Sequence, residues 1–358
     1  MLLFIKKNLY RGVFYISKIT IIGAGMMGSA MCFPASDNEH IINLVGTPLD
    51  DEIIDEAKKT NFHKTLKREL PLNVTPYKYS ELTENMLEES EIVICGVSSF
   101  GIDWFADEVV KRLPPNIPVL SITKGLHCTQ SGKMISFIQY IKEKCNNNNL
   151  NLNAVGGPCI SFELADRHNT LVAFCGEDLK TLNFIKNILE TSYYHINITT
   201  DIIGVETAVA MKNAYALGVS LAIGLAEQKN GEGCKEEYNP QAGLFAQSVR
   251  EMRKIIKLNG GNIENIDYGA GDLYVTVFGG RTRMIGTLLG RGLTYDEASE
   301  ILKGVTLESV AITKVTISAI KMLSEKGIVN IADFPLLTHI DELINNKTTV
   351  NIPWKKFI

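Results

Sequence analysis

Short apolar runs alternate with charged stretches of helical period along the N-terminal half of the chain. Lys18–Ile22 is β-rich and ends at a glycine loop, and 26–34 can open a helix behind it. Ile41–Val45 is a second apolar run, followed by a charged, helical-looking stretch at 50–59. Further strand candidates lie at 91–97, 117–122, 152–155 and 171–175. The stretch 133–144 reads as one amphipathic helix, with Met134, Ile135, Phe137, Ile138 and Ile141 on its apolar side. Residues 146–149 form a polar asparagine loop. Strands alternating with helices predict a parallel, doubly wound sheet. Beyond about Thr200 the texture changes. Apolar residues recur at helical spacing over 205–228, 240–258, 282–289 and 296–322. A domain boundary is therefore expected near 199–202, with a nearly all-helical unit over 201–358, and no internal repeat is visible.

A chain of 358 residues is long enough for two domains. Its formal net charge of −4 gives no basic field for nucleic acid. An anionic substrate would need a local cationic pocket instead. Seven cysteines show no C-x-x-C pair, and six histidines show no ligand spacing. The pattern excludes a disulfide framework and a zinc site, and implies reduced, cytoplasmic usage. No uninterrupted apolar run reaches the length of a membrane span. Residues 1–17 carry Lys6, Lys7 and Arg11 without an acid. They read as an extension ahead of the first strand rather than a targeting peptide, for no apolar core with a small-residue cleavage site follows.

The loop Gly23-Ala24-Gly25-Met26-Met27-Gly28 matches G-x-G-x-x-G. The motif alone is weak, but here it follows a predicted strand and opens a helix within a β-α-β unit. Gly23 suits the tight turn, Gly25 the approach of a pyrophosphate, and Gly28 close packing of helix on strand. The helix N-terminus adds backbone N–H donors and partial positive charge. A Rossmann-type dinucleotide-binding domain over 18–200 is the expectation. An acid at the end of the second strand would favour NAD, yet that place holds Val45-Gly46-Thr47-Pro48, with Asp50 and Asp51 later. No arginine stands nearby for a 2′-phosphate. NAD or NADP stays open, with a slight lean to NADP.

Polar residues punctuate four later segments. Lys124 follows the strand candidate at 117–122, so it should face the ligand crevice at the carboxyl ends of the strands. Gly157, in Gly156-Gly157-Pro158-Cys159, also follows a strand. Lys212 lies on a helix among Val205, Ala208 and Val209. Asp272 sits in Gly269-Ala270-Gly271-Asp272-Leu273, ahead of Thr276 and Gly279-Gly280-Arg281-Thr282-Arg283. A buried lysine has a lowered pKa and can donate a proton to a ketone oxygen. A second cation stabilises the developing alkoxide, an aspartate orients a lysine, and an arginine binds phosphate bidentately. Taken singly, each has a blander reading as a solvated surface charge.

In order along the chain these segments resemble the NAD(P)-dependent glycerol-3-phosphate dehydrogenase family. The series is the glycine loop, Thr123-Lys124-Gly125, Gly157-Pro158 with Glu163, Lys212-Asn213, Gly271-Asp272-Leu273 and Gly279-Gly280-Arg281. The resemblance implies that Lys212 is the general acid/base, Lys124 an active-site cation and Asp272 its partner. It implies cofactor contacts from Gly23, Gly25, Met26, Met27, Gly28, Phe100, Lys124, Ser161, Arg281 and Glu308. Substrate contacts are implied for Lys124, Gly157, Cys159, Lys212, Asn213, Asp272, Thr276, Arg281 and Thr282. Two positions depart from the family: Thr282 follows Arg281 where asparagine is usual, and Cys159 replaces a Ser, Thr or Ala.

The resemblance implies reversible reduction of dihydroxyacetone phosphate to sn-glycerol 3-phosphate, supplying glycerophospholipid synthesis, by a homodimer without metal. Two alternatives keep the same fold. One is a hydroxyacid or 6-phosphogluconate type of dehydrogenase, against which Gly279-Gly280-Arg281 argues. The other is a non-catalytic NAD(P)-binding protein, against which the complete set Lys124, Lys212 and Asp272 argues.

Overall fold

The computed structural model of the chain describes residues 16–345 and 348–357. The sequence-based extension over 1–17 thus lies almost wholly outside the described residues. Ser17 does belong to the fold: it is buried, its N–H donates to His40 Nδ1 at 3.1 Å, and its hydroxyl donates to Glu91 at 2.9 Å.

Eight strands make one sheet: β1 (Lys18–Ile22), β2 (Ile41–Val45), β3 (Val74–Tyr77), β4 (Ile92–Cys95), β5 (Val119–Ser121), β6 (Leu152–Gly156), β7 (Thr170–Cys175) and β8 (Tyr194–Thr199). Their order across the sheet is β8-β7-β6-β5-β4-β1-β2-β3. All neighbours are parallel except β6 and β7, which pair antiparallel, so the expectation of an all-parallel sheet is corrected at that one pair. β4 is buried at every residue and β1 at all but Lys18, because helices cover both faces of the sheet.

The chain leaves β1 toward β2 on one side and returns to β4 on the other. That reversal opens a crevice at the carboxyl ends of β1 and β4. The glycine loop occupies it and leads into helix α1 (Met26–Ala30). Gly23 has φ +108°, and a Cβ there would lie 2.7 Å from the Gly96 carbonyl carbon. A Cβ on Gly28 would lie 2.1 Å from the Gly23 carbonyl oxygen. The loop, α1 and the Gly96 turn after β4 therefore touch backbone to backbone.

From Ile202 onward the described residues form helices and no strand: α2 (Ile202–Asn230), α3 (Tyr238–Leu258), α4 (Ile266–Val277), α5 (Gly280–Gly290), α6 (Glu308–Glu325) and α7 (Pro335–Ile344), with a short helix Tyr295–Ile301. α2 is apolar on all sides because α3 to α7 and β6 surround it. By length and composition it could cross a membrane, but 83% of its most apolar window is buried inside the protein. Counting uninterrupted apolar residues overlooks it because Glu206 and Lys212 punctuate it. Asp201 caps α2 by accepting from Gly204 N–H at 3.0 Å, and it also accepts from Asn262 N–H and the Asn265 amide.

Three sequence-based elements differ in detail. Residues 133–144 are not one helix: Met134–Ser136 pairs with Leu126–Cys128 as a hairpin, and the helix begins at Phe137. The Ser136 hydroxyl accepts from Gln139 N–H at 3.2 Å, so this serine is an N-cap that the apolar pattern concealed. Residues 296–322 are two helices, separated where Gly304 takes φ +83°. Tyr194–Thr199 is a strand that the pattern did not signal, because it lies at the sheet's edge and alternates His195 and Asn197 outward.

Gly28→Ala should cost about 1–3 kcal/mol of stability and abolish dinucleotide binding, since neither touching backbone can retreat. Urea unfolding and NADPH fluorescence titration check both effects.

Candidate active site

The glycine loop is shaped for an anionic guest. A Cβ on Gly25 would meet nothing within 4 Å, so its outer face is open space. The first N–H groups of α1 have no acceptor within the helix. Met26 is half exposed and Met27 partly buried at this mouth. Two residues that were not sequence-derived site candidates hold the loop from behind. Asp50 accepts from Thr47 N–H and the Thr47 hydroxyl, each at 2.8 Å, and from Ala24 N–H at 3.2 Å. His63 Nε2 lies 2.8 Å from the Ala24 carbonyl oxygen. The acid that follows β2 is thus turned toward backbone N–H groups. An Asp three residues after a threonine is a turn signal that could have revealed half of this arrangement.

Beyond the loop, three segments distant in sequence meet. Lys124 follows β5, Lys212 lies on α2 and Asp272 on α4. Asp272 is fully buried. Its Oδ1 accepts from Lys212 Nζ at 2.6 Å, and its Oδ2 accepts from Lys124 Nζ. Lys124 Nζ also donates to the Gly157 carbonyl at 3.0 Å. Two glycines make the meeting possible. A Cβ on Gly269 would lie 2.7 Å from the Ala208 carbonyl oxygen, so α4 rests directly on α2. A Cβ on Gly271 would lie 3.3 Å from Pro158, which seats the loop 157–159 against α4. The Thr276 hydroxyl donates to the Asp272 carbonyl at 2.6 Å, leaving the carboxylate to the lysines.

Burial pushes the Lys212 pKa below the ordinary lysine value. Asp272 opposes that shift, Lys124 adds to it, and Glu308 weakly opposes it. A lysine so placed can release and recover a proton near neutrality more readily than a surface lysine. Cys159 closes the inner side, its Sγ 3.9 Å from Met27 Sδ. Burial pushes its thiol up to about 12, so it stays protonated and serves as a packing surface rather than a nucleophile. Met27, Met31, Lys124, Gly157, Cys159 and Tyr194 border one small cavity between the glycine loop and Lys124.

The other sequence-derived candidates lie on several separate elements. Asn213 is half-buried next to Lys212, and Glu308 opens α6 within electrostatic reach of Lys212. Ser161 is buried at the start of the helix Ser161–Ala165. Phe100 is exposed in the turn after β4. Arg281 is exposed in the first turn of α5 and forms no ion pair among the described residues, while Thr282 beside it is buried. No hydrogen bond or ion pair among the described residues joins Phe100, Ser161, Arg281 or Thr282 to the lysine pair. Likewise, no cluster of metal-ligating side chains occurs among the described residues.

A glycine-loop crevice facing a lysine–aspartate–lysine cluster, with a helical unit behind it, defines a dinucleotide-dependent dehydrogenase plan. Residues 18–182 match the NAD-dependent glycerol-3-phosphate dehydrogenase N-terminus, and 201–354 match the C-terminus of the same family. The chain belongs to the NAD-dependent glycerol-3-phosphate dehydrogenase family. It is 33% identical over 289 residues to the NADP(+)-dependent glycerol-3-phosphate dehydrogenase of Archaeoglobus fulgidus, covering 80% of this chain and 83% of that one. It is 26% identical over 349 residues to glycerol-3-phosphate dehydrogenase [NAD(P)+] 1 of Mycobacterium tuberculosis, covering 95% and 94%. Its fold matches the glycerol-3-phosphate dehydrogenase structure from Coxiella burnetii with a TM-score of 0.78 at 20% identity, over 96% of this chain and 98% of that one. The structure of the Plasmodium falciparum glycerol-3-phosphate dehydrogenase matches equally, at 0.78 and 20%, over 96% and 95%.

Asp272→Asn would leave two ammonium groups facing each other without their counter-charge. Turnover should fall roughly 10²-fold or more, while the dissociation constant for NADPH changes far less. Steady-state kinetics beside fluorescence titration separates the two effects.

Proposed function

We propose that this chain catalyses the reversible reduction of dihydroxyacetone phosphate to sn-glycerol 3-phosphate. The observation that carries the reading is the buried Asp272 carboxylate shared by Lys124 and Lys212 beside the glycine loop. In the reduction direction, Lys212 gives its proton to the ketone oxygen as that oxygen gains negative charge. Lys124 stabilises the same oxygen as a fixed cation. Asp272 holds both lysines in place, and with it the cluster carries one net positive charge when both lysines are protonated. Arg281 and the neighbouring N–H groups of α5 receive the substrate phosphate, a dianion suited to a guanidinium fork. The reduced nicotinamide, when bound along the glycine loop, supplies the hydride. The proton balance closes through Lys212, which takes a proton from solvent after each reduction and returns one after each oxidation.

NADPH is the favoured cofactor in this reading. The turn after β2 offers no acid before Asp50, and Asp50 accepts from the backbone of Thr47 and Ala24 instead of a ribose hydroxyl. The Archaeoglobus relative carries an NADP(+)-dependent name. The reading divides the chain into a cofactor unit over 18–200 and a substrate and dimerisation unit over 201–358. A homodimer fits the large apolar side chains that the helical unit exposes, among them Tyr274, Phe278 and Met284. A reducing cytoplasmic setting fits seven free cysteines, and the product would feed glycerophospholipid synthesis.

A panel of ketones and 2-keto acids with NADPH and NADH tests the assignment. Oxidation of cofactor is expected with dihydroxyacetone phosphate, faster at low NADPH than at equal NADH. Oxidation only with hydroxyacid-type substrates would contradict it. Lys212→Ala should lose turnover by about three orders of magnitude or more while still binding NADPH. Arg281→Ala should raise the KM for dihydroxyacetone phosphate by roughly 10- to 100-fold, the loss expected for a charged hydrogen bond.

A further inference from the structure

The hairpin made by Phe62–His63 and Arg68–Glu69 has no part in the chemistry above, yet it reaches the glycine loop. His63 is fully buried. Leu66 N–H donates to its Nδ1 at 3.0 Å, which requires that nitrogen to be bare. The neutral ring therefore carries its hydrogen on Nε2 and donates it to the Ala24 carbonyl at 2.8 Å. From the other side Asp50 accepts from Ala24 N–H. Both peptide groups that flank Ala24 are gripped.

We propose that His63 is a positioning residue for the cofactor phosphates: by holding the Ala24 carbonyl inward, it turns the Gly25 N–H outward into the crevice. In a trans peptide the carbonyl and the N–H lie on opposite edges of one plane, and no cis bond occurs among the described residues. Fixing the Ala24 oxygen therefore fixes the direction of the Gly25 hydrogen. The preceding plane is held in the same way, with Ala24 N–H on Asp50 and the Gly23 oxygen against Gly28. The plane between Ala24 and Gly25 is the vulnerable one. Glycine tolerates either orientation, because it has no Cβ to penalise a rotated peptide. Rotation would replace a donor with a carbonyl oxygen at the very place where phosphate must approach.

The hairpin is itself anchored well enough to act as a clamp. Asn61 takes φ +57° and its side-chain amide donates to the Leu70 carbonyl at 2.7 Å. Leu66 and Leu70 are buried in the core shared with β1 and β2. Arg68 grips Asp166 with two bonds of 2.6 Å, tying the hairpin to the segment behind the helix Ser161–Ala165. Asp50 is the charged group that acts on the ring, and burial outweighs it to keep the imidazole neutral.

The inference rests on dinucleotide binding at this loop and not on the identity of the ketone, so its test begins without a ketone. NADPH is titrated by fluorescence into His63→Leu, His63→Gln and the unaltered protein, and kinetics with dihydroxyacetone phosphate follow. His63→Leu should weaken NADPH binding ~10-fold, the scale of a lost buried hydrogen bond. The KM for NADPH should rise more than kcat falls. His63→Gln, whose amide places an N–H where the Nε2 hydrogen stood, should recover most of the affinity. Unchanged NADPH affinity in folded His63→Leu overturns the proposal. Equal losses in His63→Leu and His63→Gln also overturn it, since the ring would then act by packing. If His63→Leu does not fold, His63→Met replaces it in the same comparison with His63→Gln. An unaltered protein that binds no NADPH overturns the dinucleotide reading itself, a result distinct from either of these.

Discussion

A buried carboxylate must be compensated, and the burial of Asp272 governs this structure. Taking one ionised carboxylate out of water costs several kcal/mol unless partners return it. Asp272 has two, Lys124 from the end of the sheet and Lys212 from the long central helix. Neither lysine is adjacent in sequence to the other or to the aspartate. The carboxylate is therefore a junction: it joins the cofactor-side sheet, α2 and α4 at one point. Removing any member strands charge in a place with little water. The same burial that ties these elements together lowers the pKa of Lys212.

Close backbone approach is the second constraint, and it serves the first. Gly269 lets α4 lie on α2, Gly271 lets Pro158 meet α4, and Gly28 lets α1 meet the loop before it. Each contact shortens a distance between groups that must cooperate. The loop before α1 is held from outside as well as inside, by Asp50 on one edge of Ala24 and His63 on the other. The carboxylate and the imidazole thus both act on the backbone of one loop residue, Ala24.

The parts legible in the sequence were those written in local pattern. The glycine loop after Lys18–Ile22 marked the crevice, and the change to helical spacing near Thr200 marked the start of α2. Lys124, Lys212 and Asp272 stood out once the family's order of segments was seen. Their shared hydrogen bonds span 148 and 60 residues, and no periodicity reports a contact at such separation. Ser136 was hidden because its cap falls inside an apolar run, and β8 because its outer face is polar. His63 carried no signal: a histidine in a polar hairpin reads as surface until the fold brings it under the loop. Asp50 was noticed only for what it did not do, binding a ribose, and the structure gives it a different task.

The proposed reaction turns on one group, the ammonium of Lys212 held by Asp272. The most direct test is the pH dependence of kcat/KM for oxidation of sn-glycerol 3-phosphate, which reports the unliganded protein. Oxidation needs Lys212 neutral, so the rate should rise with pH and level off, with its midpoint below the ordinary lysine value of about 10.4. A rate that keeps climbing through that ordinary value, or that shows no such rise, would contradict a proton carried by a buried Lys212 of lowered pKa.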